Sequence, residues 1–131
     1  MAKLIQAIGA YGPRVELTHT VQTRQLAEYI SGRSSLNRGE IEGNLRELCE
    51  AIIFFARQGS AVKLEGVGTF TPSIDLEGTF DVGFRLDTAI DGALNVPGAF
   101  TGEVTNRENV GKSAADLKAL WNADHPTDLI P

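Results

Sequence analysis

Apolar side chains recur at Ile41, Leu45, Leu48, Ile52 and Phe55, the three-to-four-residue spacing of one face of an α-helix. Asn37 followed by Glu40 makes a capping-box-like start, and Gln58-Gly59 closes the pattern, so a long helix is predicted between them. Its last part, Ala51-Ile52-Ile53-Phe54-Phe55-Ala56, is apolar on every side, which a helix lying on a single sheet cannot hide. A second chain is expected on the far side. A shorter helix is predicted before it, capped by Thr23, with Leu26 and Ile30 inward and Gly32 ending it in a left-handed cap.

Beyond Gly59 the period changes from helical to alternating. Val62-Lys63-Leu64-Glu65-Gly66-Val67-Gly68-Thr69-Phe70 places apolar and polar side chains in turn around a glycine-softened bend, as a strand does when it reverses against a helix layer. Residues 69–76, a Glu77-Gly78 turn and residues 79–85 continue a small antiparallel sheet. Residues 3–10 and 14–20, parted by Gly9, Gly12 and Pro13, read as an N-terminal hairpin. Residues 87–94 suit a short helix with Ile90 and Leu94 inward, before Pro97-Gly98 breaks the pattern and a linker-like stretch runs over 99–111. Ser113 and Asp116 then cap a last helix whose Leu117, Leu120 and Trp121 share one side, expected to dock on apolar surface of its own chain or its mate. The fold class is α+β, in three segments: a β extension (1–22), a central domain (23–96), and a linker with a docking helix (97–131).

At 131 residues, 42% hydrophobic and 22% charged, the composition is globular and the length suits one core. Cys49 is the single cysteine, so no internal disulfide can form; it lies near Leu45 and Ile52 and is expected to be an inert core residue. No apolar run has the length of a membrane helix and no secretion-signal pattern is present, which favours a reducing cytoplasm. The net charge of −5 is uneven: residues 1–60 carry 7 basic and 6 acidic side chains, and residues 61–131 carry 5 and 11. Acidity belongs to the strand half and the segment after it.

Candidate chemistry is sparse. Gly66-Val67-Gly68 lacks the third glycine of a dinucleotide loop and precedes a strand, and Gly111-Lys112-Ser113 has Asn106 where a phosphate loop needs its first glycine. A winged helix-turn-helix would need a polar reading helix, whereas the long helix ends apolar all round. Arginines 24, 33, 38, 46 and 57 interleave with glutamates 28, 40, 42, 47 and 50 at ion-pair spacing, a solvated mixed-charge face. His19 and His125 have nothing at ligand spacing, so no metal site, cofactor or small-molecule substrate is expected. No nucleophile with its base can be assembled, so the chain is not expected to be an enzyme.

Two helices followed by V-K-L-E-G-V-G-T-F, a strand pair ending in Phe84-Arg85 and a short terminal helix resemble the HU/IHF family of bacterial nucleoid proteins, over about residues 23–95 and most closely over 59–70. The resemblance implies an intertwined homodimer in which the long helices cross beneath a saddle of strands, with Phe84 in the core and Arg85 facing DNA. It departs from the family where only 13 residues separate Phe70 from Phe84, so the long basic arm with its wedging proline is absent or a stub. Thr88 and Asp91 stand where lysines are usual, and Asp75, Glu77 and Asp81 sit on the neighbouring strands, so an acidic saddle is expected.

Two functions follow. One is a non-enzymatic, nucleoid-located homodimer binding double-stranded DNA weakly or atypically, with Arg85, Lys63 and Arg57 on phosphates. The other is a structural or protein-interaction dimer that has lost its DNA saddle. Both rest on the same subunit interface, built from Leu48, Ile52, Ile53, Phe54 and Phe55, and neither involves a membrane.

Overall fold

The computed structural model describes residues 2–131. In chain order the elements are α1 (Leu4–Tyr11), β1 (Arg14–Val15), α2 (Thr23–Ser31), α3 (Arg38–Arg57), β2 (Val62–Leu64), β3 (Gly68–Ile74), β4 (Phe80–Leu86), α4 (Thr88–Leu94), β5 (Val104–Thr105) and α5 (Ala114–Asp124), with a 3-10 turn at Arg107–Asn109. The length suited one core, but the chain divides into two compact units: Thr20–Phe100, and a second built from both flanks, Met1–His19 with Thr101–Pro131.

In the Thr20–Phe100 unit α2 packs on α3, and the sheet, ordered β2-β3-β4 and antiparallel throughout, lies against the C-terminal half of α3. Asn37 starts α3 as its spacing predicts: its Oδ1 accepts the Glu40 N–H at 2.9 Å, and its Nδ2 donates to Glu40 Oε1 at 2.8 Å. The covered stripe of α3 is Ile41, Leu45, Leu48, Ile52 and Ala56, of which Ile41 alone is fully buried. Cys49 falls off that stripe and is exposed, contrary to its expected core position. Three expectations for α2 also change. Gln22 and not Thr23 stands at its N-cap, Thr23 being the first helical residue. Ala27 is the residue it buries, while Leu26 is exposed, and Gly32 is right-handed at φ −66, its N–H returning to Glu28 O at 3.1 Å, so no left-handed cap forms.

The β3–β4 hairpin turns as its sequence predicts. Asp75 Oδ1 accepts the N–H groups of Glu77 and Thr79, each at 2.9 Å, and Gly78 sits at φ 87, open to glycine without strain. Pro72 lies on β3 beyond the last residue paired with β2, where its missing N–H leaves no ladder bond unmade on that side.

The second unit overturns the N-terminal hairpin. Residues 4–11 are helical, and β1 pairs with β5, Arg14 opposite Thr105 and Val15 opposite Val104, not with the residues before it. The physical reason is a core: Ala2, Ala7, Leu117 and Ile130 are buried together, and Tyr11, Leu120 and Trp121 pack on them. A helix puts Ala7 and Tyr11 on one side against α5 while satisfying its own backbone, which an unpaired strand could not. The stretch read as a linker is ordered around two asparagines. Asn106, at φ 57, donates from Nδ2 to Ala10 O at 2.9 Å and Gly12 O at 3.1 Å, and the buried Asn109 donates to Tyr11 O at 2.6 Å. Together they satisfy the carbonyls that the end of α1 leaves free. Ser113 and Asp116 cap α5 reciprocally, at 3.2 and 3.1 Å.

Candidate nucleic-acid interface and subunit surface

The strand register decides which side chains share a face. Lys63 pairs with Thr69, which pairs with Arg85, so these three form one row across the sheet and project to the same side. The next rows, Thr71 with Gly83 and Ser73 with Asp81, continue that face towards the hairpin tip. Positive charge is therefore confined to the root of the hairpin. Towards the tip come Asp81, Asp75 and Glu77, and no Lys or Arg stands between residues 71 and 84.

Lys63 Nζ lies 4.0 Å from Glu65 Oε1, an exposed pair worth about 0–1 kcal/mol that a phosphate can displace. Among the described residues no ion pair engages Arg57 or Arg85. By contrast Arg38 lies 3.2 Å from Glu28 and 3.8 Å from Glu42, and Arg24 lies 3.7 Å from Glu28, so much of the helical arginine charge is spent on neighbouring carboxylates. The structure brings Lys63 and Arg85 together and leaves Arg57 elsewhere, at the margin of the apolar groove on the other side of the sheet. The short α4 has no basic residue.

The opposite face of the hairpin carries Phe70, Pro72 and Ile74 with their cross-strand partners Phe84, Val82 and Phe80. With Ile52, Ile53 and Ala56 of α3 they line a groove of about 870 Å³. Phe84 was expected in a core; it tilts on Phe70 at 4.8 Å between ring centroids but is 48% exposed in the single chain. Its position is fixed by Gly68, where an added Cβ would stand 2.4 Å from Phe84 Cζ and 2.5 Å from Arg85 O. Only glycine lets the two strands close here, so one residue sets both the groove wall and the root of the basic row. Of the proposed subunit-interface residues, Leu48 and Ile52 are half-buried, while Ile53, Phe54 and Phe55 are 38%, 57% and 45% exposed. Phe54 and Phe55 meet edge to face at 5.2 Å.

A long helix ending beneath a three-stranded antiparallel sheet, with the hairpin root basic and its inner face bare, defines an HU-like α+β domain. Residues 8–83 match the family model HU-HIG, described as an HU domain fused to wHTH, Ig, or glycine-rich motif, and the chain belongs to that family. No curated protein matches the sequence. The HU domain is a non-enzymatic, DNA-binding architecture at family level. Among the described residues no helix is long and apolar enough to cross a membrane, and no group of three His, Cys, Asp or Glu is placed to hold a metal ion. Sequence reasoning placed Gly68 in a glycine-softened bend and missed its close approach to Phe84 and the Arg85 carbonyl, which only the paired strands reveal.

Proposed function

We propose that this chain acts as a homodimer, with the nucleoid as its location, and grips double-stranded DNA through phosphates at the hairpin roots. The observation that carries the reading is the Lys63–Thr69–Arg85 row, presented by the sheet on the side away from the apolar groove. The groove and the exposed Ile53, Phe54 and Phe55 supply the subunit interface, buried in the intertwined dimer under a second copy. Two cations per subunit, four in a dimer, give a log-log salt slope of roughly −3.6, a weak and strongly salt-dependent grip. No base-reading element accompanies them, so binding is indifferent to sequence.

Duplex DNA titrated at about 20 mM and about 150 mM salt should show affinity that collapses between the two, and Arg85→Glu should weaken binding about tenfold or more at the lower salt. An Arg57→Ala chain should keep most of the affinity, because Arg57 is outside the row. The excess of acids in the Thr20–Phe100 unit, 11 against 7 basic side chains, favours a second reading, a structural or protein-interaction dimer without DNA. No binding at about 20 mM salt selects that reading, since phosphate attraction is strongest there.

A further inference from the structure

Asn122 and Trp121 on α5 hold an extended stretch of the same chain by its backbone. The Asn122 amide brackets Ile130, donating from Nδ2 to its carbonyl at 3.1 Å and accepting its N–H at Oδ1 at 2.7 Å. A neighbouring strand would offer the same pair of bonds. Trp121 Nε1 donates to the Asp128 carbonyl at 2.8 Å. The Ile130 side chain, 6% exposed, drops among Ala2, Ala7 and Leu117. Backbone hydrogen bonds with one apolar pocket are how grooves take extended peptides: the main chain gives affinity and the pocket gives selectivity. Here the groove is filled from within.

Seat and segment are joined by a tight turn. His125 ends α5, its ring stacked on the Trp121 indole at 3.9 Å and its N–H bonded to Trp121 O at 2.8 Å, so the helix side of the turn is pinned. Pro126 and Thr127 are exposed, and the Asp128 N–H returns to His125 O at 3.0 Å. Opening that turn, with release of the Trp121 and Asn122 bonds and of the Ile130 side chain, would let the segment leave while α5 keeps its own backbone bonds.

We propose that the groove between α1 and α5 is an exchange site, and that its second occupant is residues 126–131 of another copy of this chain. The exchanged form needs no new chemistry, because the incoming segment makes every contact with the seat that the outgoing one made, and association entropy and the opened His125–Asp128 turn oppose it. A dimer formed by the Thr20–Phe100 units would raise the effective concentration of the second segment, but exchange rests on the smaller unit alone.

The test uses full chains in a Cys49→Ser background, one carrying Asn122→Cys and the other Ile130→Cys, mixed and mildly oxidised. Exchange brings the two new thiols together, and the mixture yields a disulfide-linked pair with one chain of each kind. Each chain oxidised alone gives the collision background. The mixed product should exceed it about tenfold or more, since a seated thiol meets its mate at a far higher effective concentration. A third chain with both substitutions should close on itself. If it closes while the mixture gives only background, exchange is wrong; if it fails to close, the seat is wrong and the proposal falls with it. Should either single substitution unfold the unit, seen as loss of ordered Trp121 emission, the unmodified chain decides. Excess synthetic peptide with the sequence of residues 126–131 should then speed hydrogen exchange at the Ile130 amide, and an unchanged rate overturns the proposal.

Discussion

The two units of this chain bury apolar surface in opposite ways. The smaller, made of both flanks, is closed: Ala2, Ala7, Leu117 and Ile130 shelter one another, and the buried Asn109 has its partner. The larger fully buries only Ala27 and Ile41 among its hydrophobic residues and leaves Phe54, Phe55, Phe80 and Phe84 in water. Size does not explain this, since the less closed unit is the longer. The proposed dimer, in which each copy supplies half of a core, accounts for the difference: full burial of a Phe stabilises by about 1.5–3 kcal/mol, which a single copy leaves unrealised at several positions. The sheet face away from the groove then remains for the proposed phosphate contacts.

The comparison breaks most sharply at Phe54. Phe54→Asp places a carboxylate in the proposed subunit interface of both copies and should weaken dimerisation by about a thousandfold or more. Sedimentation should then give 14.1 kDa for the variant and twice that for the parent. A parent that sediments as one subunit at micromolar concentration removes the half-core reading. Gly68→Ala comes next: its methyl would stand inside normal contact with Phe84 and the Arg85 carbonyl, so the larger unit should lose about 1–3 kcal/mol in denaturant unfolding. DNA affinity should fall with it, because the same glycine sets the Arg85 strand.

In the closed unit the sharpest probe is Asn109→Ala. It strips the 2.6 Å bond to the Tyr11 carbonyl and leaves that group without its partner, at a cost of about 1–3 kcal/mol. Unfolding followed through Trp121, which lies in this unit alone, should shift by that amount while dimer mass stays unchanged. Coupled loss of the dimer would show that the units are not independent in stability.

What could be read in advance was local chemistry. The Asn37–Glu40 and Ser113–Asp116 caps and the Glu77-Gly78 turn act within a few residues, so their side chains announce them. The apolar end of α3 was legible as surface that its own sheet leaves exposed, because its apolar residues run all round the helix. The flanks were not. Leu4, Ile5 and Ile8 fit a strand or a helix, and what selects the helix is a core completed by Leu117 and Ile130, more than a hundred residues away. Asn106 and Asn109 lay in a stretch without period and gained meaning only from the carbonyls of residues 10–12. Of the candidate site, composition suggested the cations; register placed Lys63 and Arg85 in one row, while Arg57 stands on α3 at the margin of the groove.

The finest distinction between the units is one of pH. Tyr11 donates its hydroxyl to Asp124 across the α1–α5 interface, and that hydrogen bond, with some desolvation and the carboxylate's charge, raises the tyrosine pKa above its ordinary 10.0. A pKa that is higher folded than unfolded marks stability that is fully present below the unfolded value and is lost as pH rises through the folded one. The contribution of Tyr11 should therefore be constant at neutral pH and disappear at strongly alkaline pH. Thermal melts followed through Trp121 should show Tyr11→Phe slightly less stable than the parent near pH 8, with the gap narrowing above about pH 10. Dissociation of the larger units should not follow that curve, since Tyr11 belongs to the other unit. A gap that stays constant to pH 11 would mean that the hydroxyl contributes through packing and not through its bond to Asp124.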